Sequence, residues 1–573
     1  MIILLVASAF NSLTQRVSVE LADRGHTVPV QLSCREEDLH EALHRHDPAL
    51  IIAPMLRTAI PESVWRARTC LIVHPGPPGD RGPSSLDRAV REGVDRWGVT
   101  VLQANGEMDA GDVWASASFP VPPVGKSDLY RNEVSDAALE AVLLAVDRFA
   151  SGTFRPAAQS GPGQRTAVRT RPFLRQEQRR IDWTADRTGT VLRELRAADS
   201  QPGVPDELLG GQWFLHGGHR EPTLTGTPGE VLATRAGAIC RATVDGAVWI
   251  PQLRPRRLPG QPPTFTLPAT VALGGLLPAV PDLPLPLDPQ WDGPGWTDIR
   301  YRETGEVGFL RFSFPGGAMG TAQCERLLAA YRYACARPTS VLVLGGARDF
   351  FGNGIHLNVI EAAADPGAES WANLNAIDDL VEAVLTTTDR LVVAALGGNA
   401  AAGGVMLALA ADEVWCRTGV VLNPHYRLMG LYGSEYWTYS LPRRVGARAA
   451  ERLTERALPV SAASGHRLGL VDRLIESSAQ DFTDQVAGLA VRLSAMSSTR
   501  SRIAAKKTER ERAESVKPLA AHRDEELARM RRIFDDPTHP YHALRRAFVR
   551  KEPPPVAGRP AASPDGASQN ARS

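Results

Sequence analysis

Three stretches of the sequence carry side chains that could do chemistry. In the first, CLIVHPGPPGDRGPSSLDRAV, a short apolar run ends on His74; its companion, MDAGDVW, carries Asp109. An imidazole and a carboxylate brought together make a general acid/base pair, because the carboxylate fixes the tautomer and stabilises the charged ring. A histidine at a strand end is also well accounted for as a hydrogen-bonded loop residue, and spacing alone does not decide between the two. The second stretch is a pair of glycine turns, RDFFGNGIHLNVIE and GGNAAAGGVMLALAADEVWCRT, each following an apolar run. Small residues at such turns let a ligand approach the backbone, and the helix N-termini behind them offer free N–H groups. Two such turns aimed at one oxygen would form an oxyanion hole; each taken singly is also explained as a packing turn. The third stretch, NPHYRLMGLYGSEYWTYSLPRRVG, crowds His425, Tyr426, Tyr432, Glu435, Tyr436 and Tyr439 together. Spaced four apart, Glu435 and Tyr439 are expected on one helix face. A glutamate desolvated among aromatic rings is pushed toward general acid/base use, although any single tyrosine there also fits core packing.

The elements that must position these residues follow from the apolar pattern. IILLVAS, ALIIAP and CLIVH read as strands, and SLTQRVSVELADRGH and DAALEAVLLAVDRFASG as helices stopped at Gly25 and Gly152. Unbroken apolar strands alternating with helices predict a parallel sheet covered on both faces. His74 then lies at the carboxyl end of a strand, where the loops of an open parallel sheet converge on a ligand. Residues 161–255 predict a leading helix (within RQEQRRIDWTADRTGTVLRELRAADSQPGV) and short strands with glycine turns. Residues 256–299, dense in proline, predict a linker, since proline blocks ladder hydrogen bonds. Residues 300–490 return to an α/β pattern in VGFLRFSF, SVLVLGG and LVVAALGG. Residues 491–552 read as charged amphipathic helices, and 553–573 as a disordered tail.

Bulk properties exclude several classes. Sixty-five Lys and Arg against 64 Asp and Glu leave a net charge of +1, so no basic excess points to nucleic acid or an anionic membrane, and neither is expected as a partner. The six cysteines form no CxxC pair, and no Cys/His cluster has metal-ligand spacing, so reduced core thiols in a cytoplasmic protein and no metal are expected. MIILLVASAF lacks a basic flank and reads as a first strand, not a signal peptide. No run is long enough to span a bilayer.

HPGPPGDRGPSSLDRAV resembles the H-P-x-x-x-P-x-x-R-G loop of 10-formyltetrahydrofolate-dependent formyltransferases, and MDAGDVW resembles their D-x-G-D turn. RRIDWTADRTGTVLRELRAADSQPG is similar to the start of their C-terminal domain. The resemblance implies a Rossmann-like formyltransferase domain over 1–160 and a small β-rich, OB-like domain over 161–255. It implies that His74 and Asp109 assist proton transfer as a formyl group leaves N10 of the folate, and that Arg81, Ser84 and Asp112 bind substrate. One position departs: Ile72 stands where the family has the asparagine that helps bind the oxyanion. Asn105, Ser84, Ser85 or a backbone N–H are the candidates to replace it.

FGNGIHL and GNAAAGGVMLALAAD resemble the two oxyanion turns of the crotonase (enoyl-CoA hydratase/isomerase) superfamily, and LPRRVGARAAERLTERALPVSAASGHRLGLVDRLI its following stretch. Mapped by position, the N–H donors would be those of Ile355 and Gly403, facing an acyl-CoA thioester. The two glutamates that hydrate a double bond are replaced by Met406 and His425, and the usual Asp of the first turn by His356. The scaffold is kept while the reaction has changed.

The fusion of the two halves resembles the HypX (HoxX) family of hydrogenase maturation factors, including the C-terminal segment DEELARMRRIFDDPTHPYHALRRAFVRK. That implies formyl transfer from 10-formyltetrahydrofolate to coenzyme A, then decarbonylation of formyl-CoA to CO, a ligand of the iron in [NiFe]-hydrogenase. Catalytic candidates for the second step are Glu435, Tyr439 and Tyr426, and other hydrogenase maturation proteins are candidate partners. A formyl-CoA hydrolase, another formyl-transfer enzyme, or a non-catalytic maturation scaffold are the alternatives.

Overall fold

The computed structural model describes residues 1–159, 168–290, 293 and 295–553. Among the described residues it forms two compact units, one running from Met1 to Asp282 and the other from Leu283 to Pro553.

In the first unit a six-stranded sheet has the spatial order Val30–Gln31, Ile3–Ala7, Leu50–Met55, Cys70–His74, Arg96–Gln103, Val113–Pro120. The first four strands are parallel, and their apolar side chains are buried between helices on both faces, as their unbroken apolar character requires. The last two run antiparallel, so the sheet is mixed instead of wholly parallel. Between the Cys70–His74 strand and these two the chain runs through the loop after His74 and the helix Ser85–Glu92, then re-enters the sheet as Arg96–Gln103 in the opposite direction. This reversal pairs His74 with Thr100 and brings the Asp109 turn, which connects the two antiparallel strands, back beside the end of the His74 strand.

Residues 168–282 build two antiparallel four-stranded sheets around one core that includes Trp183, Leu192, Leu215, Val248 and Ile250. The expected leading helix is shorter than its sequence pattern, a 3-10 turn at Gln176–Arg179 and a helix at Thr188–Ala197. The proline-dense stretch is not all linker. Within it, Leu267–Pro268 pairs with Gln252–Pro255 at the edge of one sheet, and Ala269–Leu273 forms a helix packed on that core. Proline is admissible there because an edge strand needs only one row of donors.

In the second unit the sheet order is Ile299–Thr304, Val307–Phe312, Val341–Gly345, Leu391–Leu396, Glu413–Arg417, Arg473–Ile475. The first two strands form an antiparallel hairpin and the rest are parallel. Alternate residues serve two cores: Leu342, Leu344, Val392 and Ala394 face one, Val341, Val343, Leu391 and Val393 the other. The helices Ser498–Val516, Leu519–Asp535 and Pro540–Arg550 follow, as the amphipathic pattern predicts. Of the tail expected to be disordered, all but Pro553 lies outside the described residues.

Candidate active sites

The first site is built around His74, which ends its strand and is almost fully buried. Its Nδ1 lies 3.4 Å from Asp109 Oδ1, so the expected pair is brought together. Asp109 reaches it from a residue with a left-handed backbone (φ +54°), and the Gly82 N–H donates to its other oxygen at 3.1 Å. A second carboxylate is present that the sequence reading did not single out. Asp80 Oδ2 lies 3.3 Å from His74 Nε2, and Arg171 Nε lies 3.2 Å from Asp80 Oδ1. Asp80 stands inside the very loop that carries the resemblance, so a charged residue among its prolines and glycines was the available signal. Gly76 makes room for this contact: a Cβ there would stand 2.4 Å from His74 Nε2 and 2.7 Å from Asp80 Oδ2.

Burial pushes the imidazole pKa down, but hydrogen bonds to Asp109 and Asp80 and the charges on both outweigh it, holding His74 up at about 9. Burial raises the two carboxyls, and His74 with their other partners brings both below the usual range. At neutral pH the site is an imidazolium between two carboxylates, a proton donor. The other expected residues make contacts of their own. Arg81 pairs with Glu107 at 2.7 Å, buried Ser84 accepts the Leu174 N–H, and Ser85 donates to the Pro75 carbonyl. Asp112 and Asn105 are exposed, Asn105 accepting the N–H of Glu107. Ile72 packs among apolar neighbours including Leu4 and Ile51.

The second site lies where the two glycine turns of the second unit meet. Gly352 accepts the Ala401 N–H at 2.8 Å, and a Cβ on Gly354 would stand 3.1 Å from Gly403 N. Gly403 begins the helix Gly403–Leu409, so its N–H has no partner within the helix. Glu435 lies over this point: a Cβ on Gly403 would stand only 2.3 Å from its Oε1. Oε2 accepts from the Tyr426 hydroxyl at 2.7 Å and from Ser434 N at 3.1 Å, leaving Oε1 turned toward Gly403. Burial raises the Glu435 carboxyl to about 7, against the lowering pull of Tyr426 and Ser434, and burial also holds the Tyr426 hydroxyl protonated well past its ordinary range.

The structure does not place Tyr439 here. Glu435 and Tyr436 both have left-handed backbones, and the helix begins only at Trp437, so the four-residue helical spacing does not apply. The Tyr439 hydroxyl instead accepts from Arg510 at 2.7 Å, with its ring against His522. Met406 is fully buried core, and His425 Nδ1 donates to the Asn423 carbonyl at 3.0 Å. His356 caps a helix by accepting the Val359 N–H, and burial pushes its imidazole down to about 4. Two more buried carboxylates, Asp378 and Glu526, went unnoticed in the sequence, although Glu526 shares its helix face with buried Leu519, Met530 and Phe534. Among the described residues no group of three or more His, Cys, Asp or Glu could hold a metal ion, and no helix is long and apolar enough to cross a membrane.

Comparison with known proteins agrees with this division. The formyl transferase family model matches residues 15–146, the formyl transferase C-terminal domain 174–261, and the enoyl-CoA hydratase/isomerase family 318–554. The hydrogenase maturation factor HoxX of Bradyrhizobium diazoefficiens is 49% identical over 552 residues, 96% of this chain and 95% of that one. A methionyl-tRNA formyltransferase of Geobacillus thermodenitrificans is 25% identical over 244 residues, 42% of this chain and 75% of its own. A crystal structure of HypX from Aquifex aeolicus in complex with tetrahydrofolic acid superposes with a TM-score of 0.92 at 43% identity, covering 96% of each chain.

Proposed function

The chain belongs to the hydrogenase maturation factor HoxX/HypX family, and from that we propose that it makes carbon monoxide in two steps. The first moves a formyl group from 10-formyltetrahydrofolate to the thiol of coenzyme A. The second releases CO from formyl-CoA and regenerates the thiol, the CO becoming a ligand of the hydrogenase iron. Folate binding is supported by the tetrahydrofolic acid complex of the Aquifex aeolicus relative. Use of a CoA thioester is supported by the enoyl-CoA hydratase/isomerase family match.

In the first step the thiol sulfur bonds to the formyl carbon and the bond from carbon to N10 breaks. N10 must gain a proton and the thiol must lose one. His74, held as an imidazolium by Asp109 and Asp80, is suited to stabilise the developing oxyanion and then protonate N10. The thiol proton restores it. With Ile72 in place of an amide side chain, His74 carries both the oxyanion and the proton-transfer roles.

In the second step the N–H groups of Ile355 and Gly403 orient the thioester carbonyl. Glu435 Oε1 removes the formyl proton, the C–S bond breaks with its electrons passing to sulfur, and CO departs. Glu435 then returns the proton to sulfur, so HC(O)–S–CoA gives CO and HS–CoA with nothing else consumed. Tyr426 holds the opposite carboxylate oxygen and so keeps Oε1 as the reacting atom. One observation carries this reading: a buried glutamate with a carboxyl near neutrality, seated against the first glycine of the helix Gly403–Leu409. The test supplies full-length protein with 10-formyltetrahydrofolate and coenzyme A, trapping headspace CO on reduced haemoglobin. CO dependent on both substrates is expected; formate without CO would overturn the reading.

A further inference from the structure

Two fully buried carboxylates that the mechanism leaves unused hold the backbone around Glu435. Asp378, from the helix Pro366–Thr386, accepts on Oδ1 from Glu435 N at 2.8 Å and from the Ser434 hydroxyl at 2.9 Å. Glu526, from the helix Leu519–Asp535, accepts from Tyr436 N at 2.9 Å, Thr438 N at 2.8 Å and the Thr438 hydroxyl at 2.5 Å. The N–H groups of 435, 436 and 438 thus end on carboxylates from two helices distant in sequence. Between those anchors lie Glu435 and Tyr436 at φ +58° and +57°, a conformation that residues with a Cβ adopt only when their surroundings impose it. Relaxing either residue to the right-handed region would swing the Glu435 side chain off Gly403.

We infer that Asp378 and Glu526 are positioning residues of the second site: they impose the left-handed turn that aims Glu435 at Gly403, and Asp378 does so in its neutral form. The inference rests on the decarbonylation reading above. Neutrality follows from placement. Asp378 faces the carboxyls of Glu435 and Glu526, and its Oδ2 is buried without a partner. Tyr436 and Arg523 also face the cluster, but Arg523 spends its guanidinium on Asp379 and Glu382. Glu435 itself is faced by Tyr426, Asp378, Glu526 and Cys324, with no cation among them. Carboxylates so close cannot all ionise. Burial and the two neighbouring acids raise Asp378 well above its ordinary range, in keeping with the geometry.

The experiment feeds formyl-CoA directly to full-length variants and measures CO release as kcat and KM separately, with a pH profile and a melting curve for each. Asp378→Asn keeps an uncharged acceptor of the same shape; it should hold kcat within about threefold of the unaltered protein and leave the acid limb in place. Asp378→Ala and Glu526→Gln should lower kcat about 100-fold, the scale of a misplaced reacting group, with KM within about threefold. An acid limb moved by a pH unit or more in Asp378→Asn would show Asp378 to be ionised and overturn the inference. So would folded Asp378→Ala and Glu526→Gln proteins with undiminished kcat. Where Asp378→Ala does not fold, the pH profile of Asp378→Asn decides. Glu435→Gln separates the two levels: it should abolish CO release, and if it does not, the decarbonylation reading itself is wrong.

Discussion

Gly403→Ala tests the second site with a single methyl group. A Cβ at this position would stand 2.3 Å from Glu435 Oε1, 2.7 Å from its Cδ and 3.2 Å from its Cγ, where ordinary contact begins near 3.4 Å. The carboxylate must therefore retreat by about 1 Å. That movement strains little, since the atoms displaced are the far end of a flexible side chain. It does break the bonds to Tyr426 and Ser434 that keep Oε2 occupied and Oε1 forward. A reacting group misplaced by about 1 Å costs on the order of 100-fold, or about 2.7 kcal/mol of barrier. Stability should fall modestly, because losing those bonds outweighs the helix preference for alanine. Alanine is favoured over glycine inside a helix by about 1 kcal/mol, an upper bound for Gly403 at the first helical position. The assay pairs CO release from formyl-CoA with thermal unfolding: kcat should fall about 100-fold while the melting temperature falls by no more than several degrees. A variant that releases CO at more than half the normal rate would refute the placement of Glu435 as the proton acceptor.

Other measurements bear on both sites. The His74 imidazole should titrate near 9 by NMR, and Asp80→Asn should lower that value and pull down the alkaline limb of formyl transfer. The sign for stability follows: a folded pKa raised from about 6.5 to about 9 gives a contribution fully present below pH 6.5 and lost as pH rises through 9. Stability curves of the Asp80→Asn protein should be flatter across that window. Tyr426→Phe should slow CO release about tenfold, the scale of one hydrogen bond to a charged group. It should also move the acid limb upward, because the hydroxyl lowers the Glu435 pKa. Tyr439→Phe should leave CO release within about twofold, as its hydroxyl is bound by Arg510 and not by Glu435; a large loss would return Tyr439 to the site.

Where local pattern determines position, the sequence was readable. Run lengths and turn residues place His74 at a strand end and Asp109 in a turn, while their pairing was legible only through the resemblance of the two motifs to the formyltransferases. The glycine turns announce themselves because only small residues let Gly352 and Gly404 approach as they do. What could not be read was what depends on chain reversal or on partners distant in sequence. The antiparallel end of the first sheet depends on the direction in which the chain re-enters after the helix Ser85–Glu92, which apolar runs do not report. Glu435 and Tyr439 share a spacing that would pair them in a helix, but the left-handed turn at 435 and 436 is imposed by Asp378 and Glu526, from elsewhere in the chain. Those two acids were visible only as charges interrupting apolar helix faces. The proline-dense stretch misled for the opposite reason: proline counts against a central strand, and this one lies at an edge.

The two sites depart from their families in a common way. Each lacks a polar residue at the expected position, an amide at Ile72 and a glutamate at Met406, and each has a buried carboxylate supplied from another place, Asp80 and Glu435. The same functional group then does opposite work because of what stands beside it. Asp80 lies against an imidazole, with Arg171 behind it, and so remains ionised; its effect is to keep a proton on His74. Glu435 has no cation against it, only a tyrosine, a backbone N–H and two other acids; its carboxyl therefore sits near neutrality, able both to take a proton and to give it back. Transfer of a formyl group from nitrogen to sulfur needs a donor at the leaving nitrogen. Loss of CO from a thioester needs one group that accepts from carbon and delivers to sulfur. On the proposed function, the pattern of countercharges, more than the catalytic residue types, would distinguish the two tasks.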